Sequence, residues 1–107
     1  MAFEQRTIDC GSLRAEHTGQ TVTLNGWAHK VRDLGGLLFV DLRDRTGLVQ
    51  VVFYPEMSKA ESDIRSETCL SVTGEVRMRD EKNRNPKMAT GDVEVVATAY
   101  TVLSQCK

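Results

Sequence analysis

An aromatic ring and an amide on one predicted strand face are the residues best suited to binding chemistry. Apolar residues alternate along 38–43, which places Phe39 on the face opposite to the apolar one. The same alternation along 48–54 places Gln50 on the corresponding face of the next strand. An exposed ring can stack on a nucleic-acid base, and a neighbouring amide offers a donor and an acceptor to a base edge. The alternative is that Phe39 packs beneath a loop and Gln50 is a solvated strand residue.

Cations flank this face from two directions. Lys30 and Arg32 precede Phe39, and a second basic group follows in residues 77–87: Arg77, Arg79, Lys82, Arg84 and Lys87. Basic side chains beside an aromatic platform are typical of nucleic-acid-binding surfaces, because they contact phosphates or base edges.

Catalytic and metal-binding chemistry are poorly supported. The sequence has no G-x-S-x-G or H-E-x-x-H motif, and its three cysteines lack a Cys-x-x-Cys spacing. Asp41 and Asp44 alternate with Arg43 and Arg45, which indicates surface ion pairs rather than an acid–base pair. We therefore expect no catalytic residue and no metal site. Trp27 follows a glycine in an apolar stretch, and we expect it to pack in the barrel.

The elements that would position these residues are mostly strands, because apolar residues recur at every second position. Alternation indicates strands beginning at residue 21, over 38–43 and 48–54, from 70 to 79, and from 92 to about 104. Gly35 and Gly36 indicate one hairpin turn, and Gly47 a second that uses positive φ. Apolar spacing predicts a short helix over about 57–67. The predicted class is an all-β OB-fold, a five-stranded Greek-key barrel with one helix between strands 3 and 4.

Length and charge agree with one small domain. The 107 residues carry 14 Lys and Arg against 15 Asp and Glu, a net charge of −1. We expect a single domain over 1–107 with its core at about 8–104. Neither a membrane span nor a signal peptide is predicted, which favours the cytoplasm. The chain stops almost where the fifth strand does, as in a domain cut from a longer protein.

Several motifs resemble one known domain closely. They are Gly26-Trp27, residues 32–45, residues 47–52, residues 77–83 and Met88-Ala89-Thr90-Gly91. Together they resemble the N-terminal anticodon-binding domain of bacterial-type aspartyl-tRNA synthetases, from about Cys10 to Leu103. The partner that this resemblance implies is the anticodon loop of aspartate tRNA, with anticodon GUC or its modified form QUC.

The resemblance also implies individual roles. Phe39 would stack on an anticodon base, while Gln50 and Arg32 would hydrogen-bond to the middle uracil. Arg79 and Asn83 would read the third base, a cytosine. Glu94 would recognise the guanine or modified guanine at the first position, because a carboxylate accepts from the N1–H and N2–H donors of that base.

Supporting roles follow from the same resemblance. Asp33 would orient Arg32, Arg77 would contact the RNA backbone, and Lys30 would add a cation. Val31 stands where the family commonly has a basic residue, so we expect one phosphate contact to be missing. Leu34, together with Asn83, looks more like enzymes strict for aspartate tRNA than those that also charge asparagine tRNA.

The class II catalytic domain of that family is absent from this sequence, so the chain is expected to bind without catalysing and without a cofactor. ATP and Mg²⁺ would belong to the parent enzyme, which the resemblance implies is a homodimer. Three alternatives stay open: an asparaginyl-tRNA synthetase anticodon domain, a general single-strand-binding OB domain, and a protein-interaction domain using Leu48, Val52 and Tyr54 as an apolar patch.

Overall fold

The computed structural model describes residues 10–34, 37–54, 64, 68–79 and 90–105, which form a closed five-stranded barrel. Two short 3-10 helices, Cys10–Ser12 and Ala15–His17, precede it. The strands are β1 (Thr21–Leu34), β2 (Leu37–Asp44), β3 (Gly47–Phe53), β4 (Thr68–Met78) and β5 (Val93–Gln105). Their order is β1-β2-β3-β5-β4, with β3 and β5 parallel and all other neighbours antiparallel. The predicted all-β OB-fold barrel is confirmed.

Alternating apolar residues fill the barrel, as the sequence predicts. On β2, Leu38, Val40 and Leu42 are buried, and the intervening residues face outward. The remaining strands contribute a further set of buried apolar side chains: Val22, Leu24, Val49, Val51, Phe53, Leu70, Val72, Val76, Val93 and Val95. Burial of each such side chain contributes roughly 1.5–3 kcal/mol, and this fixes which strand face points outward.

The β2–β3 turn is held by one carboxylate. Asp44 accepts hydrogen bonds from the Thr46 backbone N–H at 2.8 Å and from the Cys10 backbone N–H at 2.9 Å. Burial acts to raise the pKa of Asp44, but the hydrogen bonds from Thr46 and Cys10 outweigh it, so this pKa lies below its ordinary value. Gly47 closes the turn at φ +146°, as its predicted positive φ requires.

Strand β1 pairs with β4 in its first half and with β2 in its second, and the exchange occurs at Trp27. A Cβ atom on Gly26 would lie 2.4 Å from the backbone oxygen of Arg43, so the missing side chain allows β1 to cross β2 closely. Just after the exchange, the register shifts between Ala28 and Lys30, which is a β-bulge. The bulge reverses which alternate residues of β1 face outward.

The β4–β5 pairing has two register shifts, one between Cys69 and Leu70 and one between Thr73 and Gly74. The predicted helix over about 57–67 lies outside the described residues, except for Ile64, which is buried in the core. Among the described residues, no helix has the length and apolar character needed to cross a membrane.

Candidate nucleic-acid interface

A continuous row of polar side chains crosses the outside of the barrel on all five strands. Lys30 pairs with Asp41, Asp41 with Gln50, Gln50 with Glu94, and Glu94 with Arg77. Directly opposed residues of neighbouring strands point to the same face. We call these five residues the polar belt. It joins residues that are up to 64 positions apart in the chain (Lys30 to Glu94).

Phe39 lies in the adjacent row, with Arg32 opposite it on β1 and Val52 opposite it on β3. The ring is half-buried and Arg32 is exposed, whereas Val52 is only 3% exposed. Phe39 is diagonal to Gln50 rather than directly opposite, because Gln50 pairs with Asp41. An aromatic side chain thus stands beside an arginine at the rim of the polar belt, where a base can stack on it.

The centre of the polar belt is a hydrogen bond between two predicted base-reading residues. The Gln50 amide Nε2 donates to Glu94 Oε1 at 3.0 Å, across the parallel β3–β5 pair. Gln50 is 8% exposed, so the amide is held by its surroundings and is not a freely solvated side chain. The bond uses one amide N–H and one carboxylate oxygen, which leaves a second N–H, the amide oxygen and the other carboxylate oxygen as polar groups at the surface.

Arg79 lies beside this pair and is fixed by the backbone of β5. Its Nε donates to the carbonyl oxygen of Val93 at 3.0 Å, and the residue is 8% exposed. Burial lowers the pKa of Arg79 from its ordinary value, and the carboxylates of Glu94 and Asp41 counteract that shift. The charge of Arg79 is therefore partly balanced in the free protein, and its planar group is pre-oriented.

Arg77 is opposite Glu94 in register, but its guanidinium turns to another carboxylate. Arg77 Nε donates to Glu75 Oε1 at 2.8 Å, and the two side chains are 54% and 43% exposed. The hydrogen bond and charge of Glu75 raise the pKa of Arg77. An exposed ion pair contributes little to stability, so Arg77 can leave Glu75 and bind a phosphate at little cost.

Arg32 is positioned by Asp41 rather than by the predicted Asp33. Arg32 Nη2 lies 3.3 Å from Asp41 Oδ1, and the side chains are 49% and 17% exposed. Asp33 is exposed and pairs with Leu38, whose side chain is in the core, so it lies on the other face of β1 from Arg32. The sequence predicts a surface ion pair for Asp41, but its partner is Arg32 on the neighbouring strand and not the adjacent Arg43.

Of the remaining residues with individual predicted roles, all but Asn83 lie in the part of the chain that the structure describes. Lys30 is exposed on the polar belt, Leu34 is the last residue of β1, and Asn83 lies outside the described residues. Val31 pairs with Val40 and packs against the core, so a basic residue there would not face the polar belt. The expectation that Val31 removes a phosphate contact is therefore not supported by its position.

Trp27 differs from its prediction. It pairs with the exposed Arg43 on the outer face, and it does not belong to the buried core cluster. In the part of the chain that the structure describes, no group of His, Cys, Asp and Glu side chains is arranged to hold a metal ion. The polar belt is thus a surface of paired hydrogen-bonding groups next to an aromatic ring.

Comparison with protein families gives a match over most of the barrel. The model for the tRNA anticodon family, described as an OB-fold nucleic acid binding domain, matches residues 22–103. A likeness in fold extends to solved structures, including asparaginyl-tRNA synthetase from Pyrococcus horikoshii, with a TM-score of 0.77 and 24% identity over 94% of this chain and 23% of that one.

Curated relatives are much closer in sequence. The chain is 54% identical over 101 residues to an aspartate–tRNA(Asp/Asn) ligase from Saccharopolyspora erythraea, which covers 94% of this chain. It is 52% identical over 109 residues to an aspartate–tRNA ligase from Listeria monocytogenes, which covers 98% of this chain. The chain spans only 17% and 18% of the length of these two relatives.

Proposed function

This chain belongs to the tRNA anticodon family of OB-fold domains, and on that premise we propose that it reads the anticodon of aspartate tRNA within a longer aspartate–tRNA ligase. The ligand is the anticodon loop, with GUC or the modified QUC. The fraction of its relatives that the chain spans, 17–18%, agrees with a binding domain whose catalytic partner lies elsewhere in the parent.

The observation that carries this proposal is the hydrogen bond between Gln50 and Glu94 beside the ring of Phe39. Sequence-independent binding needs a stacking ring and cations, but it does not need an oriented amide and carboxylate. A carboxylate on the binding surface repels phosphates, so its presence favours reading of base edges over general attraction to the backbone.

The proposed assignment has one group of residues for each base. Phe39 stacks on an anticodon base, and Gln50 with Arg32 hydrogen-bonds to the middle uracil. Arg79 and Asn83 read the third-position cytosine. Glu94 accepts from the first-position guanine, which presents two adjacent N–H donors on its Watson–Crick edge.

Lys30 and Arg77 contact the phosphates beside these bases, since both side chains are exposed on the polar belt. Asp33 is outside this contact set. Leu34 stands next to the hairpin, and we keep the proposal that it belongs to an enzyme strict for aspartate tRNA.

The parent enzyme would supply the chemistry. ATP and Mg²⁺ would be bound by its catalytic domain, as the similarity to aspartate–tRNA ligases implies. We propose that the parent acts as a homodimer in the cytoplasm, where translation takes place. In this arrangement the OB domain contributes affinity and selectivity, and the ligation takes place elsewhere in the parent.

The test is a titration of anticodon stem-loops at two salt concentrations. A GUC loop is compared with one in which the third base is U and one in which the middle base is A. We expect GUC to bind more tightly by about 1–3 kcal/mol, or about 5- to 150-fold. Preference for the third-position U would instead favour an asparaginyl domain, and similar binding of C and U with the middle-base preference retained would favour a relaxed parent. Equal, steeply salt-dependent binding of all three would establish a general single-strand binder.

Substitution of Phe39 tests the stacking step. Phe39→Ala should weaken GUC binding by about 1–3 kcal/mol, the typical contribution of one stacked base. Gln20→Ala is the matched control, because Gln20 is exposed and outside the polar belt. A loss below about 0.3 kcal/mol for Phe39→Ala would exclude stacking on this ring.

A further inference from the structure

A second aromatic–arginine pair lies on the same outer face as Phe39. On the β1–β2 ribbon, Arg32 is opposite Phe39 at one end and Trp27 is opposite Arg43 at the other. Both pairs face outward, because the residues between them on β2, Val40 and Leu42, are buried. Phe39 and Arg43 are four residues apart on one strand, which corresponds to about 13 Å.

A groove of about 640 Å³ opens beside Trp27. It is lined by side chains of β1, the β2–β3 turn and the strands behind them: Asn25, Trp27, Asp44, Arg45, Thr46, Cys69 and Leu103. The Oδ1 atom of Asn25 is buried and has no hydrogen-bond partner among the described residues. Because that atom is shielded from solvent, Asn25 lines the groove without offering an acceptor to an occupant.

One cation lines this groove, Arg45, and a second, Arg43, lies opposite Trp27 at its edge. Arg43 and Arg45 are exposed, and neither forms an ion pair with any residue that the structure describes. The acidic side chain in the groove wall, Asp44, already accepts hydrogen bonds from Cys10 and Thr46. Two exposed guanidinium groups without an ion pair in the described part of the chain therefore lie near a half-exposed indole.

We propose that the Trp27 groove is a second RNA subsite, which binds a single-stranded nucleotide flanking the anticodon. The base stacks on Trp27, and the adjoining phosphates contact Arg43 and Arg45. This inference rests on the proposed function, because the anticodon must occupy Phe39 for its neighbour to reach the groove. About 13 Å corresponds to no more than about four stacked nucleotides at 3.4 Å each, so one loop spans both rings.

RNA is preferred over a protein partner for two reasons. The groove lies on the same outer face as the proposed anticodon site, and the Lys30–Asp41 pair of the ribbon stands between them. Its unpaired charges are positive and lie where phosphates of the same strand pass, whereas a protein partner would need acidic side chains at both positions.

Intrinsic fluorescence tests the proposal directly, because Trp27 is the one tryptophan in the chain. Wild-type protein is titrated with the GUC stem-loop and with the GUC trinucleotide. The stem-loop should change Trp27 emission and protect it from iodide quenching. The trinucleotide should leave the emission unchanged, since it is too short to occupy both rings.

Charge variants test the phosphate contacts. The double variant R43A/R45A should bind the stem-loop about tenfold more weakly, with a salt slope reduced by about 1.4, as expected for two contacts to a single strand. The matched control R43K/R45K keeps both charges and should retain most of the salt slope. Phe39→Ala is measured in parallel to follow the anticodon site.

Each outcome decides between the two proposals. If Phe39→Ala weakens the stem-loop but Trp27 emission and R43A/R45A show no effect, the groove proposal is wrong and the anticodon function stands. If Phe39→Ala has no effect either, both fail. Emission that varies with protein concentration and ignores RNA would assign the groove to a protein contact and overturn the proposal.

Discussion

Replacing Glu94 with glutamine distinguishes the contribution of this residue to base recognition from its contribution to the stability of the fold. The side chains have the same shape, so the amide oxygen of the new residue can still accept the bond that Gln50 now donates at 3.0 Å. What changes is the charge: the bond becomes neutral, and Arg79 at 8% exposure loses one of the three carboxylates, Glu94, Asp41 and Asp92, that oppose its lowered pKa. The effect on folding and the effect on RNA can be calculated separately.

For folding, a hydrogen bond to a charged group contributes about 1.5–3 kcal/mol and a neutral one about 0.5–1.5 kcal/mol. Glu94→Gln should therefore lower the free energy of unfolding by about 1 kcal/mol, which corresponds to a melting temperature about 4–8 °C lower in a domain of this size. The barrel should remain folded, because Glu94 lies on the outer face.

For RNA, the carboxylate can accept two N–H groups of guanine, whereas the amide accepts one and presents its own donor to the other. A bidentate contact is worth about 1–3 kcal/mol of discrimination, so the preference for G over A at the first position should fall about 5- to 150-fold. Overall affinity is a poor readout here, because removing a negative charge strengthens general attraction to phosphate.

The assay measures the ratio of affinities for GUC and AUC stem-loops, together with an inosine loop that lacks the N2 amino group. Wild-type protein should distinguish guanine from inosine, and Glu94→Gln should not. An unchanged G-to-A ratio in a folded variant would refute the assignment of Glu94. A normal ratio with a lower melting temperature would mean that Glu94 only supports Gln50 and Arg79.

Three further predictions follow from the geometry. Asp41→Asn should release Arg32 and reduce the preference for U over A at the middle position by up to about fivefold, the range of a half-exposed ion pair, with little loss of total binding; an unchanged preference in stem-loop titrations would argue against this positioning role. Asp44→Asn should remove an acid-dependent loss of stability. Because folding lowers the pKa of Asp44, its carboxylate stabilises the barrel at pH values above the ordinary pKa of 3.8. That contribution is lost as the pH falls through the lowered pKa of the folded state. Denaturant unfolding from pH 6 to pH 2 should show a shallower decline for the variant, and parallel curves would contradict it. Gly26→Ala should destabilise the barrel by about 1–3 kcal/mol, because the new Cβ would meet the Arg43 backbone oxygen at 2.4 Å; a thermal melt like that of the wild type would contradict this.

The strands and their inward faces follow from the sequence because alternation is a local property. Residues 38–43 predict β2 and its core side correctly, and Gly47 predicts the turn that follows. The prediction that Trp27 packs inside the barrel is wrong. The expectation rested on its apolar neighbours, but Trp27 precedes the bulge and has the opposite parity to the buried Val22 and Leu24, so it lies on the outer face opposite Arg43. The bulge between Ala28 and Lys30 reverses the outward face only for the rest of β1, and no local pattern reveals that reversal.

The outward position of the candidate site residues follows from the sequence, but their pairings do not. Alternation placed Phe39 and Gln50 on the outer face, but the partner of Gln50 is 44 residues away, at Glu94. The choice of Asp41 over Asp33 as the partner of Arg32 likewise depends on which strand lies next to β1. Such contacts are set by barrel closure, which a single sequence does not display.

The parallel junction of β3 and β5 connects the binding surface to the integrity of the barrel. Its register runs only from Gln50–Glu94 to Val52–Val96, so it is the shortest of the pairings that close the barrel. Local opening in a native protein begins where few backbone bonds must break, and amide hydrogen exchange is fastest there. A ligand that binds Gln50 and Glu94 together therefore also opposes the separation of β3 from β5. Recognition of the anticodon and resistance of the barrel to opening are then two measures of the same bound state.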